Sequence, residues 1–343
     1  MNTLLRRLLK VLLATVTCFS LSAQGTSNFP TIGTVEFHHA DLEMLIAPDA
    51  KIEVLGSGFT WSEGPVWDRV NDQLLFSDVP ENRIHAWSVE KGITVFMEPS
   101  GYTGVLPHSR GKGSNGLAYD NDGQLTICEH GDRRISVLLT DGGKRTVTDH
   151  VDGHRFNSPN DLAIDTAGNI WFTDPPYGLP EGSNDPRREL DFAGVYLHRV
   201  ATGATELLTK ELPWPNGIAL SPDEKTLYVA HSDGTEPIVM AYPILADLSL
   251  GAGTVVFDMS DVASGPGRGG NPDGLKVDQQ GNLWVSGRGG VQVVSPSGVH
   301  LGSIVVGQNT ANVAFGGADG SMLYITSDMY VVRIQTLVTG DGF

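Results

Sequence analysis

The chain has 343 residues, with 40 acidic against 23 basic side chains and a formal net charge of −17. That balance excludes sequence-independent nucleic-acid binding, which needs a basic face. The 40% hydrophobic content supplies a sizeable core and excludes a disordered or fibrous chain.

In chain order, residues 1–23 read as a secretory signal peptide. Arg6, Arg7 and Lys10 precede an apolar run from Val11 to Leu21, and the small residues Ser22 and Ala23 follow. The run is too short to cross a bilayer, so no membrane span is expected and the mature protein is expected to be exported to a periplasm or the medium. Of the two cysteines, Cys18 falls in the leader and Cys128 is left alone, which excludes an intramolecular disulfide in the mature chain. Residues 24–50 form a less regular lead-in, 51–339 a single repeat domain, and 340–343 a short tail.

The repeat is a polar residue, an apolar strand, an Asp/Gly turn and a second apolar strand. It reads EGPVWDRVNDQLLFSD from Glu63, NGLAYDNDGQLTICEH from Asn115 and NDLAIDTAGNIWFTD from Asn160. It continues as NGIALSPDEKTLYVAHS from Asn216, DGLKVDQQGNLWVSGR from Asp273 and NVAFGGADGSMLYITS from Asn312. Two further short strands follow most units, for example Arg83–Val89 with Ile93–Glu98, and Arg134–Thr140 with Lys144–Thr148. A spacing near ~50 residues with four strands per unit fits propeller blades. The sixth unit adds only Tyr330–Gln335, and Lys51–Leu55 from the other end of the domain is the candidate for its missing strand. The expected fold is therefore all-β, a six-bladed propeller of four-stranded antiparallel blades closed by an N-terminal strand in the last blade.

In a propeller the first strand of each blade lines the central tunnel. Glu63, Asn115, Asn160, Asn216, Asp273 and Asn312 are thus expected in one ring at one tunnel mouth. The returning second strands end there with Asp78, His130, Asp174, His231, Arg288 and Asp328. An oxygen-rich ring without thiolates suits a hard cation, with charge from Glu63 and Asp273 and neutral oxygens from Asn160 and Asn216.

Trp61-Ser62-Glu63-Gly64-Pro65-Val66-Trp67, Arg155-Phe156-Asn157-Ser158-Pro159-Asn160-Asp161, Thr173-Asp174-Pro175-Pro176-Tyr177-Gly178, Pro215-Asn216-Gly217 and Pro272-Asp273-Gly274 resemble the gluconolactonase family. Senescence marker protein, luciferin-regenerating enzyme and the more distant paraoxonases belong to the same superfamily. The likeness spans Lys51 to Gln335 with its motifs in order. It implies a divalent metal, usually calcium, held by Glu63, Asn160, Asn216 and Asp273, with Asp273 as general acid/base and Asn160 touching substrate. Arg155 is the nearest candidate for an arginine that senescence marker protein places just before that asparagine, where this chain has Ser158-Pro159. Asn115, His130, Asp174 and His231 complete the expected substrate-binding set.

The implied activity is calcium-dependent hydrolysis of a sugar lactone to the aldonic acid, with another divalent cation as an alternative metal. Two other readings stay open: a broader lactonase or aryl-esterase of paraoxonase type, and a non-catalytic ligand-binding propeller with a structural ion. Other chemistries lack their residues. No Gly-x-Ser-x-Gly elbow occurs, Cys128 lies in an apolar strand, and Gly265–Gly270 lacks the Lys-Ser/Thr of a phosphate loop. That glycine-rich stretch is expected as a flexible arm over the pocket mouth, and Trp67, Trp171 and Trp284 as packing between blades.

Overall fold

The structure, a computed structural model, describes residues 29–108 and 111–343. The segment read as a leader lies outside the described residues. Six four-stranded antiparallel blades follow one another along the chain, five built from consecutive strands and the sixth completed from the beginning of the domain, each with its first strand at the hub. In the first blade these are Ser62–Asp68, Gln73–Asp78, Arg83–Ser88 and Gly92–Met97; in the second, Ser114–Tyr119, Leu125–Glu129, Arg134–Leu138 and Lys144–Thr148. The third holds Leu162–Ile164, Ile170–Asp174, Gly194–Arg199 and Ala204–Thr209, and the fourth Pro215–Leu220, Thr226–Ser232, Pro237–Pro243 and Thr254–Asp258. The fifth holds Leu275–Val277, Leu283–Gly287, Gly290–Val294 and His300–Val305. The sixth takes Asn312–Gly316, Met322–Ser327 and Tyr330–Gln335 from the end of the domain and Glu53–Ser57 from its beginning, with Val54 opposite Val332. This is the six-bladed propeller expected from the repeat, closed as expected.

One difference lies in the lead-in. Thr34–Phe37 pairs with His300–Val305 as a fifth strand on the fifth blade, Val35 facing Ile304. A 3-10 turn at Ala40–Met44 then buries Leu42 beside that blade. Four residues without clear alternation carry little strand signal; the open edge they cover supplies the pairing.

The core is distributed between blades. Each of six apolar clusters bridges one pair of neighbours: Trp171, Val195 and Leu197 of the third blade pack on Ile218, Leu227 and Val229 of the fourth, for example. Trp67 stacks on Tyr324 of the sixth blade at 5.1 Å, and Trp284 meets Phe315 edge-on at 5.5 Å. These tryptophans pack between blades as expected. Their turns share a device. In Asp165-x-x-Gly-Asn-x-Trp171 the aspartate accepts the Asn169 N–H at 2.8 Å and the Trp171 indole N–H at 3.1 Å. Asp278, Asn282 and Trp284 repeat it at 2.9 and 3.1 Å. Gly168 at φ +85° supplies the left-handed turn residue that closes the first of these hairpins.

Candidate active site

In five of the six blades the first strand does not run regularly past the ring position; only in the sixth does the ladder continue unbroken from Asn312. The ladder shifts register between Glu63 and Val66, between Ser114 and Leu117, and between Pro215 and Ile218. In the third and fifth blades the regular pairing starts only at Leu162 and Leu275, just past Asn160 and Asp273. Such bulges re-aim a side chain, and here they fall where ring residues must turn to the axis. The residue after the ring position is glycine in four units, and in three of them its N–H bonds across to the next blade. Gly116 N–H donates to Asn160 O at 2.8 Å, Gly217 N–H to Asp273 O at 3.1 Å and Gly274 N–H to Ala311 O at 2.8 Å. A Cβ on Gly217 would stand 2.2 Å from Asp273 O, so the blades can approach this closely only without a side chain there.

The ring side chains then meet in two connected groups. Asn115 Nδ2 donates to Asn160 Oδ1, and Asn160 Nδ2 donates to Asn216 Oδ1. The Asn216 amide beside Asp273 favours the charged form of that carboxyl. On the other side, Asn312 Nδ2 lies 3.2 Å from Glu63 Oε2 and 3.4 Å from Asp161 Oδ2, and Lys276 Nζ is 3.8 Å from Asp161 Oδ2. Glu63, Asn115, Asn160, Asp161, Asn216 and Asn312 are all buried. Asp273 lies deep in the molecule but faces the tunnel, so part of its surface stays accessible. Burial raises the Glu63 carboxyl above its ordinary range, against the Gly64 N–H and with the Asp161 charge adding to it. Asp273 is pushed well above the ordinary range by its depth and by the Glu63 and Asp161 charges.

The remaining expected residues divide. His130 is at the ring, its Nε2 3.2 Å from Asn160 Oδ1 and its Nδ1 3.2 Å from Gly111 O; burial depresses its pKa to about 4. His231 sits opposite Pro215 at the start of the fourth blade, buried, with no protein partner for Nδ1. Asp174 holds a loop in place. Its two carboxylate oxygens accept the backbone N–H groups of Asn157 and Ser158, each at 2.7 Å, which fixes the run-in to Asn160. Asp78 does the same for Thr60 and Trp61 ahead of Glu63, both at 3.1 Å. Burial lifts the Asp174 pKa to about 7. Arg155 is exposed on the hairpin of His150–Val151 and His154–Arg155, its guanidinium 2.7 Å from Asp132 O, outside the hydrogen-bonded ring. Arg288 reaches to Ser260 O at 3.4 Å, and Cys128 is fully buried, its thiol pushed up by burial. The glycine-rich stretch is fastened rather than free: Arg268 pairs with Glu36, and Gly289 N–H donates to Arg268 O at 3.1 Å.

Sequence reasoning missed Asp161 and Lys276. Both break the repeat: Asp161 stands where four units have glycine, and Lys276 occupies a position held by Val66, Ala118, Ala163, Ala219 and Phe315 in the others. Those six residues line a cavity of about 570 Å³ on the far side of the ring, where Gly342 and Phe343 of the tail also lie. At the near mouth Tyr177 stacks on Trp214 with ring centres 5.9 Å apart, another pair the repeat pattern did not single out.

The hub holds three carboxylates, Glu63, Asp161 and Asp273, against one ammonium, Lys276, so its formal charge is two negative. Its donors are oxygens from carboxylates and amides. That chemistry fits a hard divalent cation, with Glu63, Asp273 and the Asn160 and Asn216 amide oxygens as the holding residues. Among the described residues no group of three or more His, Cys, Asp and Glu is arranged to hold a metal; a site here therefore depends on the amides.

A closed six-bladed wheel with an acidic, amide-lined hub defines a propeller whose site is on its axis. Residues 61–329 match the family described as SMP-30/Gluconolactonase/LRE-like region, and the chain belongs to it. It is 36% identical to a gluconolactonase of Zymomonas mobilis over 332 residues, covering 95% of this chain and 93% of that one. A solved gluconolactonase structure from Xanthomonas campestris superposes with a TM-score of 0.76 at 30% identity, covering 90% of this chain and 97% of the other. A calcium-binding regucalcin from Agrobacterium tumefaciens, 22% identical, shares the fold with a TM-score of 0.63 over 84% of this chain and 94% of that one. The protein is a hydrolase acting on carboxylic ester bonds, of the lactonase kind.

Proposed function

We propose that the chain opens a sugar lactone, D-glucono-1,5-lactone or a close relative, to the aldonic acid, with calcium held by Glu63, Asn160, Asn216 and Asp273. The observation that carries this reading is the convergence of the Glu63 and Asp273 carboxyls and a hydrogen-bonded run of amides from separate blades at the axis. The names of the similar gluconolactonases support the substrate class.

A bound divalent cation would supply Lewis-acid polarisation of the lactone carbonyl. The chain's own residues do the rest. Asp273, accessible from the tunnel, takes the proton of the attacking water and returns it to the ring oxygen as the C–O bond breaks. Glu63, fixed by Gly64 N–H at 2.8 Å and by Asn312, keeps its charge directed at the hub. The Asn160 amide and the His130 ring lie together at the mouth, and His231 adds a buried nitrogen with no protein partner, all suited to the hydroxyls of a polyol. The segment 1–23 directs export in this reading; the mass of the protein recovered outside the cytoplasm tests it, and a full-length chain retained inside would refute it.

The deciding experiment is a panel of aldonolactones and aryl esters, assayed after exhaustive chelation and after adding calcium back. Gluconolactone hydrolysis that disappears and returns with calcium is expected. Turnover indifferent to chelation, or a clear preference for aryl esters, would overturn the assignment.

A further inference from the structure

Asp161 and Lys276 are the two charged departures from the repeat, and they meet each other. Lys276 Nζ lies 3.8 Å from Asp161 Oδ2 and donates to Leu275 O at 3.1 Å. Asp161 is also tied by its own loop, Leu162 N–H donating to Oδ1 at 2.9 Å, and it shares Asn312 Nδ2 with Glu63. The girdle around Lys276 is otherwise apolar: Val66, Ala118, Ala163, Ala219 and Phe315. An ion pair in such a place carries a desolvation cost that two apolar side chains would avoid, so stability does not account for it.

We propose that the Asp161–Lys276 pair sets the net charge that the ring presents to a cation, and that through Asn312 it positions the Glu63 carboxylate. The proposal rests on the reading of the ring as a cation site. With both residues present the hub carries a formal charge of two negative. Loss of Lys276 makes it three negative, loss of Asp161 makes it one negative, and loss of both restores two. The pair thus matches the hub to a divalent ion, and its two members must act on cation affinity with opposite sign.

Calorimetric titration of calcium into the metal-stripped full chain tests this without any assay of turnover. Asp161→Asn is expected to weaken binding by about tenfold or more and Lys276→Met to tighten it by about tenfold, from the Coulomb contribution of one nearby charge. The double variant is expected to return to within about threefold of the unmodified chain, and Lys276→Arg, which keeps the charge, to stay there as well. A gain of affinity cannot come from misfolding, and the double variant carries both substitutions with the native charge. Two single variants that shift affinity in the same direction, or a double variant weaker than both, would overturn the charge role while leaving the ring a cation site. An unmodified chain that takes up no calcium would overturn both together.

Discussion

His130 Nε2 lies 3.2 Å from Asn160 Oδ1 and 3.5 Å from Asn115 Nδ2, at one end of the run of amides. Gly111 O lies 3.2 Å from Nδ1, and with the pKa depressed to about 4 the imidazole is neutral near pH 7, so one ring proton faces two acceptors, Gly111 O and Asn160 Oδ1. One ring nitrogen is therefore left facing an oxygen with no proton between them, and Asn160 Oδ1 already accepts from Asn115. A lactone hydroxyl, able both to donate and to accept, suits that position.

His130→Ala should therefore lower kcat/KM for gluconolactone by about tenfold, mainly through KM, the cost of one lost hydrogen bond at a buried site. Steady-state kinetics on the variant check this. Because the imidazole stays neutral well above pH 4, His130 should add no inflection to the pH–rate profile between about pH 5.5 and 8. An unaltered kcat/KM would remove the residue from substrate binding.

Asp273→Asn keeps size and polarity but removes the proton acceptor. The fold should persist, since the Asp273 backbone bonds to Gly217 and to Ser286 remain. Turnover should fall by about 10²–10⁴, the usual worth of a positioned acid/base group. Circular dichroism and kcat together test it; a variant with native turnover would exclude Asp273 as the base.

The wheel itself was plain in the sequence because each blade restates the same turn chemistry, and the polar leader of each repeat told which residues line the axis. The direction of second-strand side chains was less legible. Asp174 and Asp78 end equivalent strands at the mouth, yet each is spent on the two backbone N–H groups that precede a ring residue, and only the path of those loops shows it. Arg155 shares a motif with Asn160 but sits on a surface hairpin. Asp161 and Lys276 were visible as breaks in the repeat, but a break has no meaning until both are seen to occupy one tunnel. The strand Thr34–Phe37 carried no periodic signal of its own, because its place comes from the edge of the fifth blade.

The hub carboxyls also give the metal-free protein a characteristic pH response. Glu63, Asp161 and Asp273 hold protons more tightly folded than unfolded, in each case chiefly through burial. Their contribution to stability is thus fully present below the ordinary carboxylate range near ~4 and is lost as pH rises through the raised folded values. Thermal melts of the chelated protein should show Tm falling between about pH 5 and 8. Saturating calcium should flatten that slope, since a bound dication favours the charged carboxylates. A stripped protein whose Tm is level or rises over this range would contradict the electrostatics of the hub.

Gly217→Ala probes whether the ring depends on bare backbone. The added Cβ would meet Asp273 O at 2.2 Å and Gly274 Cα at 2.7 Å, both main-chain atoms that no rotamer change can move aside. Relief requires the fourth and fifth blades to separate at the hub, lengthening the Gly217 N–H to Asp273 O bond of 3.1 Å. Overpacking of this kind costs about 1–3 kcal/mol. The displaced atoms belong to Asp273 and to Gly274 beside it, and Asn216 adjoins the substituted residue, so cation affinity and turnover should drop further than the loss of stability alone explains. Gly168→Ala, strained at φ +85° but far from the hub along its blade, is the matched control. It should lower the melting temperature comparably and leave calcium binding intact, and equal losses of affinity in the two variants would show that the close approach at Gly217 has no special bearing on the site.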